Sequence, residues 1–295
     1  VIKMYNLNKV GERTYYIDSP TNIGIYKLNE SDICLIDSGN DKEAGRKINK
    51  ILKENNFNLK YIISTHSNAD HIGGNEFLQK RTDCKIISTE IENLFIKYPI
   101  LEPSFLYGGY PIKSIRNKFL MAKESNPTDT IENLPEGLEY IKLGGHFFDM
   151  IGIKTSDNVY FLADCVFGEN IIKKYHISFI YNVDEFLKTL DFVENLEGNL
   201  FIPSHAPICE DIKPLVKINR DKVHEIIETI LRICEEELIF EDILQKLFIH
   251  YDLKMDLNQY VLIGNTLKSY LSYLYDNEKL EIEFKESKLY WKTKS

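Results

Sequence analysis

The sequence predicts an α/β layered domain followed by a smaller helical domain, and three observations predict it. Short β-branched runs give way to a helical stripe and then return to a strand within residues 1–88. A second set of short strands follows an irregular, aromatic-rich stretch. After His205 the texture changes to long amphipathic helices closed by two strand-like runs.

Taken in order, residues 1–39 contain the runs MYNL, RTYYI, NIGIYKL and DICLIDSG, broken at Gly11, Pro20 and Glu30-Ser31, which read as strands of a meander. Residues 42–55 carry Ala44, Ile48, Ile51 and Leu52 at helical spacing, and residues 61–64 and 85–88 have the composition of short buried strands. Residues 94–135 break the rhythm. Pro99, Pro103, Gly108, Gly109, Pro111 and Pro127 lie among Phe95, Tyr98, Phe105, Tyr107, Tyr110 and Phe119, as in an inserted lid. Its basic residues Lys97, Lys113, Arg116, Lys118 and Lys123 outweigh Glu102 and Glu124, so the expected substrate is a small molecule, anionic or aromatic; self-packing of the insertion is the competing reading. Residues 138–143, 150–155 and 159–163 restore strands, with Ser156-Asp157-Asn158 as a hairpin turn. Residues 184–197 form a capped helix, and residues 200–203 a strand that delivers His205.

Composition bounds the alternatives. With 295 residues the chain can hold a large domain and a small one, and 43% hydrophobic with 27% charged residues is ordinary for a globular protein. No apolar run approaches the ~18 residues of a membrane span and no leader pattern opens the chain, so the expectation is a cytoplasmic protein without a membrane partner. Five scattered cysteines without a CxxC pair predict reduced thiols. A net charge of -9 disfavours indiscriminate binding to nucleic acid.

The chemistry concentrates in YIISTHSNADHIGGN, residues 61–75, where an apolar run stops and His66, Asn68, Asp70, His71, Gly73 and Gly74 follow. These side chains should stand on the loop at a strand's C-terminal end. On an extended loop, spacing two would bring His66, Asn68 and Asp70 round one point while His71 faces a neighbouring one, so two metal positions are available. Gly73 and Gly74 would let the backbone turn tightly, and Asn75 would cap a helix over residues 75–80.

At these residues the chain resembles the metallo-β-lactamase superfamily, whose signature HxHxDHxGG reads here HxNxDHxGG. Gly145-His146, Asp164 in VYFLADCVF and His205 in LFIPSHAP match the family's remaining ligands in order, and Asp37 in ICLIDSG matches a supporting position. The resemblance implies an αββα sandwich over residues 1–212. It also implies a first metal position from His66, Asn68 and His146, a second from Asp70, His71 and His205, and Asp164 bridging them. Imidazole and carboxylate donors suit one or two Zn ions, with Fe or Mn as alternatives. Such a metal lowers the pKa of bound water from 15.7 to about 7, supplying hydroxide that the catalytic Asp70 would orient against an ester, thioester, lactone or phosphoester. Asn68 departs from the signature: a neutral amide oxygen is a weak donor. The expectations are therefore two metals with a weak first position, one metal at the second, or a metal-binding sensor without hydrolysis. Phe167 stands where the lactonase branch usually places Tyr. His176, His224 and His250 lie outside any motif.

Residues 213–295 read as helices over 215–237, 240–248 and 257–275 followed by a hairpin-like pair over 279–292. This pattern resembles the small C-terminal winged-helix-like domain of the family's ribonuclease branch. A winged helix would suggest nucleic acid. Yet acidic and basic residues nearly balance from Glu241 onward, and residues 257–275 carry only Lys268. Packing or formation of a homodimer is expected over groove binding, which needs Lys and Arg.

Overall fold

The computed structural model describes residues 5–294; Met4 of the MYNL run lies outside the described residues, as does Ser295. The chain opens with β1 (Asn6–Lys9), β2 (Thr14–Asp18), β3 (Ile23–Lys27) and β4 (Asp32–Ile36), an antiparallel meander as the alternating runs predict. Helix α1 (Lys42–Glu54) is capped by Asp41, whose carboxylate accepts from the amides of Glu43 and Ala44, satisfying two of the helix's free donors. It crosses to β5 (Asn58–Ile63), parallel to β4. Helices α2 (Ala69–Ile72) and α3 (Asn75–Thr82) then lead to β6 (Lys85–Ser88).

The irregular stretch contains α4 (Glu90–Lys97) and α5 (Leu101–Tyr107), and it returns to the sheet as β7 (Asp129–Thr130) beside β6. Strands β8 (Leu138–Lys142), β9 (Ile151–Thr155) and β10 (Val159–Phe167) begin a second sheet. After α6 (Glu169–Tyr175) and α7 (Val183–Glu194), β11 (Leu200–His205) completes it parallel to β10.

The layers follow from which faces are apolar. Ile48, Leu52 and Leu78 of α1 and α3 cover Ile25, Ile33, Leu35 and Ile62 on the outer face of the seven-stranded sheet. Tyr26, Cys34, Ile36 and Ile63 meet Ile151, Ile153, Phe161 and Ile202 between the sheets. Every residue of β10 is buried, as expected for a strand covered on both faces. The result is an α/β sandwich of helix, sheet, sheet and helix.

The C-terminal part is α8 (Lys213–Ile233), β12 (Leu238–Ile239), α9 (Phe240–His250), α10 (Leu257–Asp276), β13 (Leu280–Lys285) and β14 (Lys288–Thr293), with sheet order β12-β14-β13. One continuous cluster runs from Leu162, Val166, Phe186 and Leu190 into Val223, Ile230, Leu247 and Leu271. Helix α8 thus serves both the sandwich and the C-terminal unit. Its Asn219 is buried, accepts from the amide of Phe167 and donates to the same residue's carbonyl, both at 2.9 Å, tying α8 to the end of β10. The five cysteines are free. Among the described residues no helix is long and apolar enough to cross a membrane.

Candidate metal centre

The motif stands where β5 ends, but its loop is not extended. Residues 69–72 form a helical turn, α2, starting after Asn68. That turn corrects the expectation that His66, Asn68 and Asp70 share one point: Asp70 is carried to the His71 and His205 side, while His66 groups with His146 and Asp164. Gly73 and Gly74 have ordinary right-handed backbone angles, so a tight turn is not their reason. A Cβ on Gly73 would lie 2.3 Å from the Asn40 carbonyl carbon and one on Gly74 2.4 Å from the Ser38 carbonyl oxygen; close approach of the loop after β4 excludes any side chain. Nor does Asn75 cap α3. It is buried, accepting from Ser38 Oγ at 2.7 Å and donating to Ser64 Oγ at 3.2 Å, and so ties the β4 and β5 ends together.

Asp164 arrives by an irregularity. The β10–β11 register shifts on both sides of Ala163, which is in the left-handed region at φ 49°, an uncommon state for alanine. Shifts of this kind re-aim the following side chain, here Asp164. Gly145, at φ +111° with its Cα facing the backbone of Phe186, brings His146 in from the other side.

The four histidines share one tautomeric logic. Asp37 accepts from the amide of Thr65 through Oδ1, and through Oδ2 from Thr65 Oγ1 and from His71 Nδ1, each at 2.8 Å. Because the Thr65 hydroxyl proton goes to Asp37, its oxygen is the acceptor for His66 Nδ1 at 3.1 Å. His146 Nδ1 donates to the Phe179 carbonyl at 2.9 Å, and His205 Nδ1 to that of Pro20 at 3.1 Å. Every Nδ1 is therefore spoken for, and every Nε2 is left facing inward. His66 Nε2 and His71 Nε2 are buried without a hydrogen-bond partner, as is Asp164 Oδ1, 3.1 Å from His71 Nε2. His205 Nε2 stands 3.1 Å from Asp70 Oδ2 and 3.3 Å from Asp164 Oδ2. Unsatisfied buried polar atoms converging on one region cost about 1–3 kcal/mol each unless a partner meets them, and a cation bound by the neutral rings and carboxylates would be one. Two groups have the spacing to hold one: His66, His146 and Asp164, and Asp70, His71 and His205. The donor set fits a metal pair.

The two groups differ in electrostatics. Burial, aided by the neighbouring His71, pushes the His66 imidazole well below its ordinary value, and burial likewise lowers His146. At His71 burial acts in the same direction, but Asp164, Asp70 and Asp37 outweigh it and hold the ring well above the usual range. His205 is raised to about 10, burial being overcome by Asp164 and Asp70.

The family model described as the metallo-beta-lactamase superfamily matches residues 16–205. The chain belongs to the metallo-beta-lactamase superfamily. Among solved structures it is similar to a beta-lactamase domain protein from Burkholderia ambifaria (13% identity, TM-score 0.74, covering 100% of this chain and 97% of that one). It is also similar to a metallo-beta-lactamase family protein from Thermus thermophilus (16%, 0.71, 99% and 98%). A metallo-beta-lactamase from Pontibacter korlensis matches at 15% identity and TM-score 0.55, covering 74% of this chain and 98% of that one. The first two likenesses extend over the C-terminal unit. These likenesses show the fold.

Asn68 stands where the resemblance led to an expected imidazole. Its Nδ2 donates to Glu102 Oε1 at 2.8 Å, and its Oδ1 lies 3.1 Å from His146 Nε2. Glu102, on the inserted α5, is buried, and that burial pushes its carboxyl well above the usual range. Glu92, on α4, is wholly buried; its Oε2 accepts from the Ser67 amide at 2.9 Å and from the Ser67 hydroxyl, and its Oε1 from the Asp149 amide at 2.9 Å. It clamps the loop bearing His66 and Asn68 to the loop bearing His146. Sequence reasoning missed both glutamates as site residues. A missing imidazole signals that a compensating neighbour is needed, but not which acidic residue of an irregular insertion supplies it.

A cavity of about 530 Å³ opens onto Asn68, Asp70, His146, Asp164 and His205. Its walls are apolar: Leu106, Phe119 and Leu120 from the insertion, Phe167, Ile177 and Phe179 from the second sheet and the loop after α6, and Leu262 and Ile263 from α10. The basic residues of the insertion are not among its lining. Lys118 pairs with Asp41 at 3.0 Å, and Arg116 lies over the Tyr110 ring. Helix α10 reaches the insertion through Val261, packed with Leu106, Ile115 and Leu120, and through Asn258, which accepts from Asn117 at 3.1 Å. The other histidines stay apart: His176 stacks on Tyr251, and His250 meets the edge of that ring.

Proposed function

We propose that the chain is a metal-dependent hydrolase of a carboxylic ester-like bond, an ester, thioester or lactone, in a small molecule that carries an apolar group. The observation that carries this reading is the convergence of four imidazole Nε2 atoms, their Nδ1 atoms all engaged, at the floor of an apolar cavity. His66, Asn68 and His146 would hold a first ion, Asp70, His71 and His205 a second, and Asp164 faces both groups. Zn suits these donors best, with Fe or Mn as alternatives. A bound ion would supply Lewis-acid activation of water at neutral pH and polarise the scissile group.

The protein's own residues set the rest. Asp70 borders the cavity with its carboxylate partly open, and it can accept a hydrogen bond from the attacking water and so orient it. Leu106, Phe167 and Leu262 exclude water around the apolar part of the substrate and favour an acyl or aromatic group over the highly charged surroundings of a phosphodiester. Phe167, lacking a phenol, offers no proton to a departing alkoxide. We read the C-terminal unit as winged-helix-like, on its helix, strand, helix, helix, strand, strand order and its β12-β14-β13 sheet. One face of its third helix is already used against α5 and the cavity, which supports a packing role over groove binding.

The test is a substrate panel with the metal-loaded protein: nitrophenyl esters of increasing acyl length, a thioester, a lactone and a nitrophenyl phosphodiester, each with and without chelator. Chelator-sensitive cleavage of the acyl substrates, fastest for the longer chains that fit the cavity, is expected. A fully loaded protein that cleaves none of them would be a metal-binding sensor and not an enzyme of this kind.

A further inference from the structure

We infer that Glu102 is a positioning residue for the first metal position, fixing the Asn68 amide with its oxygen turned inward so that this chain can use an amide where the family uses an imidazole. The inference rests on the proposed metal centre and deepens it.

An amide has two ends of opposite chemistry. His146 has already given its Nδ1 proton to the Phe179 carbonyl, so its Nε2 is an acceptor. Left alone, Asn68 would do best by turning its NH₂ toward that lone pair. Such an orientation would block the imidazole and present a donor to a cation. Glu102 prevents it. Its carboxylate, buried on α5, stands on the other side of Asn68 and accepts from Nδ2 at 2.8 Å. The carbonyl oxygen is left facing His146 Nε2 at 3.1 Å, and Asp164 Oδ2 lies 3.6 Å from the same nitrogen. Three acceptor atoms thus face one another, an arrangement satisfied only by a proton or a metal ion among them. Donation from Nδ2 to the Glu102 carboxyl oxygen also draws electron density toward Oδ1, making the amide oxygen a better ligand. Phe105 seats α5 edge-on against Phe147 and Phe148, so the Glu102 carboxyl is carried on a fixed element.

The experiment is titration of the full-length apoprotein with Zn²⁺ by calorimetry, and with Co²⁺ by visible absorption, for the parent, Glu102→Leu, Glu102→Gln, Asn68→His and the Asn68→His/Glu102→Leu double variant. Glu102→Leu should weaken the first-position step about 10–100-fold while the other step is unchanged. Glu102→Gln, nearly isosteric, still offers an acceptor oxygen and should stay within about threefold of the parent. In the Asn68→His background the Leu substitution should cost clearly less than in the parent, because either nitrogen of an imidazole can ligate while only one end of an amide can. A Glu102→Leu protein that binds both ions like the parent overturns the inference. So does equal weakening in both backgrounds, which would mean that α5 merely supports the loop, and so does a Gln variant as weak as Leu, which would make the charge itself the requirement. The Gln comparison stands should the Leu variant not fold. A parent that binds no ion overturns the proposed metal centre together with this inference, whereas a parent that binds two ions while Glu102→Leu leaves them unchanged overturns the inference alone.

Discussion

The two halves of the cluster solve one problem by different means. Around His66 and His146 the rings are neutral, the third donor is an amide, and the geometry is held from outside by two buried glutamates on the inserted helices α4 and α5. Around His71 and His205 the site relies on charge: Asp70 and Asp164 face the rings directly and Asp37 braces His71 from behind. A charge-rich position attracts a cation even if its geometry is slightly off. A position made of neutral donors works only if each lone pair is aimed. This explains why the amide half leans on an insertion that the charged half does not touch, and why the second position should fill first.

The largest break in that comparison is Asp164→Asn, since the Asp164 carboxylate faces rings of both halves. Hydrolysis of the best acyl substrate should fall at least ~10²-fold, more than loss of an outer-shell partner costs. Metal analysis after dialysis should show both ions depleted. If only one ion is lost, the two halves are independent.

Removing metal from the parent comes next. Charged and imidazole groups that meet at one point depend on the ion, and a ligand at a thousand times its Kd stabilises by about 4 kcal/mol. Chelation should lower the Tm by several degrees. An unchanged melting curve after verified removal would show that the ion pairs of His71 and His205 suffice without it.

Protons separate the halves more finely. His71 and His205 are held protonated near neutral pH by the facing carboxylates, so an ion entering there must displace protons, and its affinity should rise with pH. His66 and His146 are neutral and have none to give. Calorimetry in buffers of different ionisation enthalpy should therefore show a tight step with proton release and a weak step without it. In Asn68→His the weak step should tighten by about tenfold or more and still release none, because the added imidazole joins the neutral half. Equally tight steps in the parent would reverse our ordering.

The strand and helix pattern was legible because it rests on local chemistry, β-branched runs and caps, and the six His and Asp residues that the structure gathers into two groups were legible from the crowded motif and from the resemblance that extended it. What escaped depends on distance in space. That residues 69–72 coil into a turn, sending Asp70 away from His66, is decided by the loop's fit against Ser38–Asp41, where Gly73 and Gly74 leave no room for a Cβ. The partnership of Asn68 with Glu102 joins residues far apart in the chain through an insertion whose aromatics hid its useful carboxyls. Equally, packing is the expected role of the helix over residues 257–275, and Leu267 and Leu271 do join the core; its role as a cavity wall through Leu262 and Ile263 appears only once α5 is folded against it.

The smallest expected effect concerns Glu92, which clamps the first half alone, joining Ser67 to Asp149. Burial raises its carboxyl to about 7, even though the hydrogen bonds from Ser67 and Asp149 pull it down. A carboxyl whose folded value exceeds its unfolded value of ~4.5 contributes stability that is complete below ~4.5 and lost as pH rises through ~7, up to about 3 kcal/mol. Glu92→Gln removes that dependence. It also sets an NH₂ against the amide of Ser67 or of Asp149, stranding a donor at a cost of about 1–3 kcal/mol. The two effects have different pH profiles, so the variant apoprotein should be the less stable by that cost at pH 5, and the gap should close or reverse by pH 8, where the parent has lost its own contribution. Terms from the metal ligands are common to both proteins and cancel in the difference. Thermal melts from pH 5 to 8 would check it, and a gap constant across that range would mean that Glu92 is ionised throughout. Metal titration of the same variant should weaken the first step and spare the second, because the clamp touches only the loops of His66, Asn68 and His146.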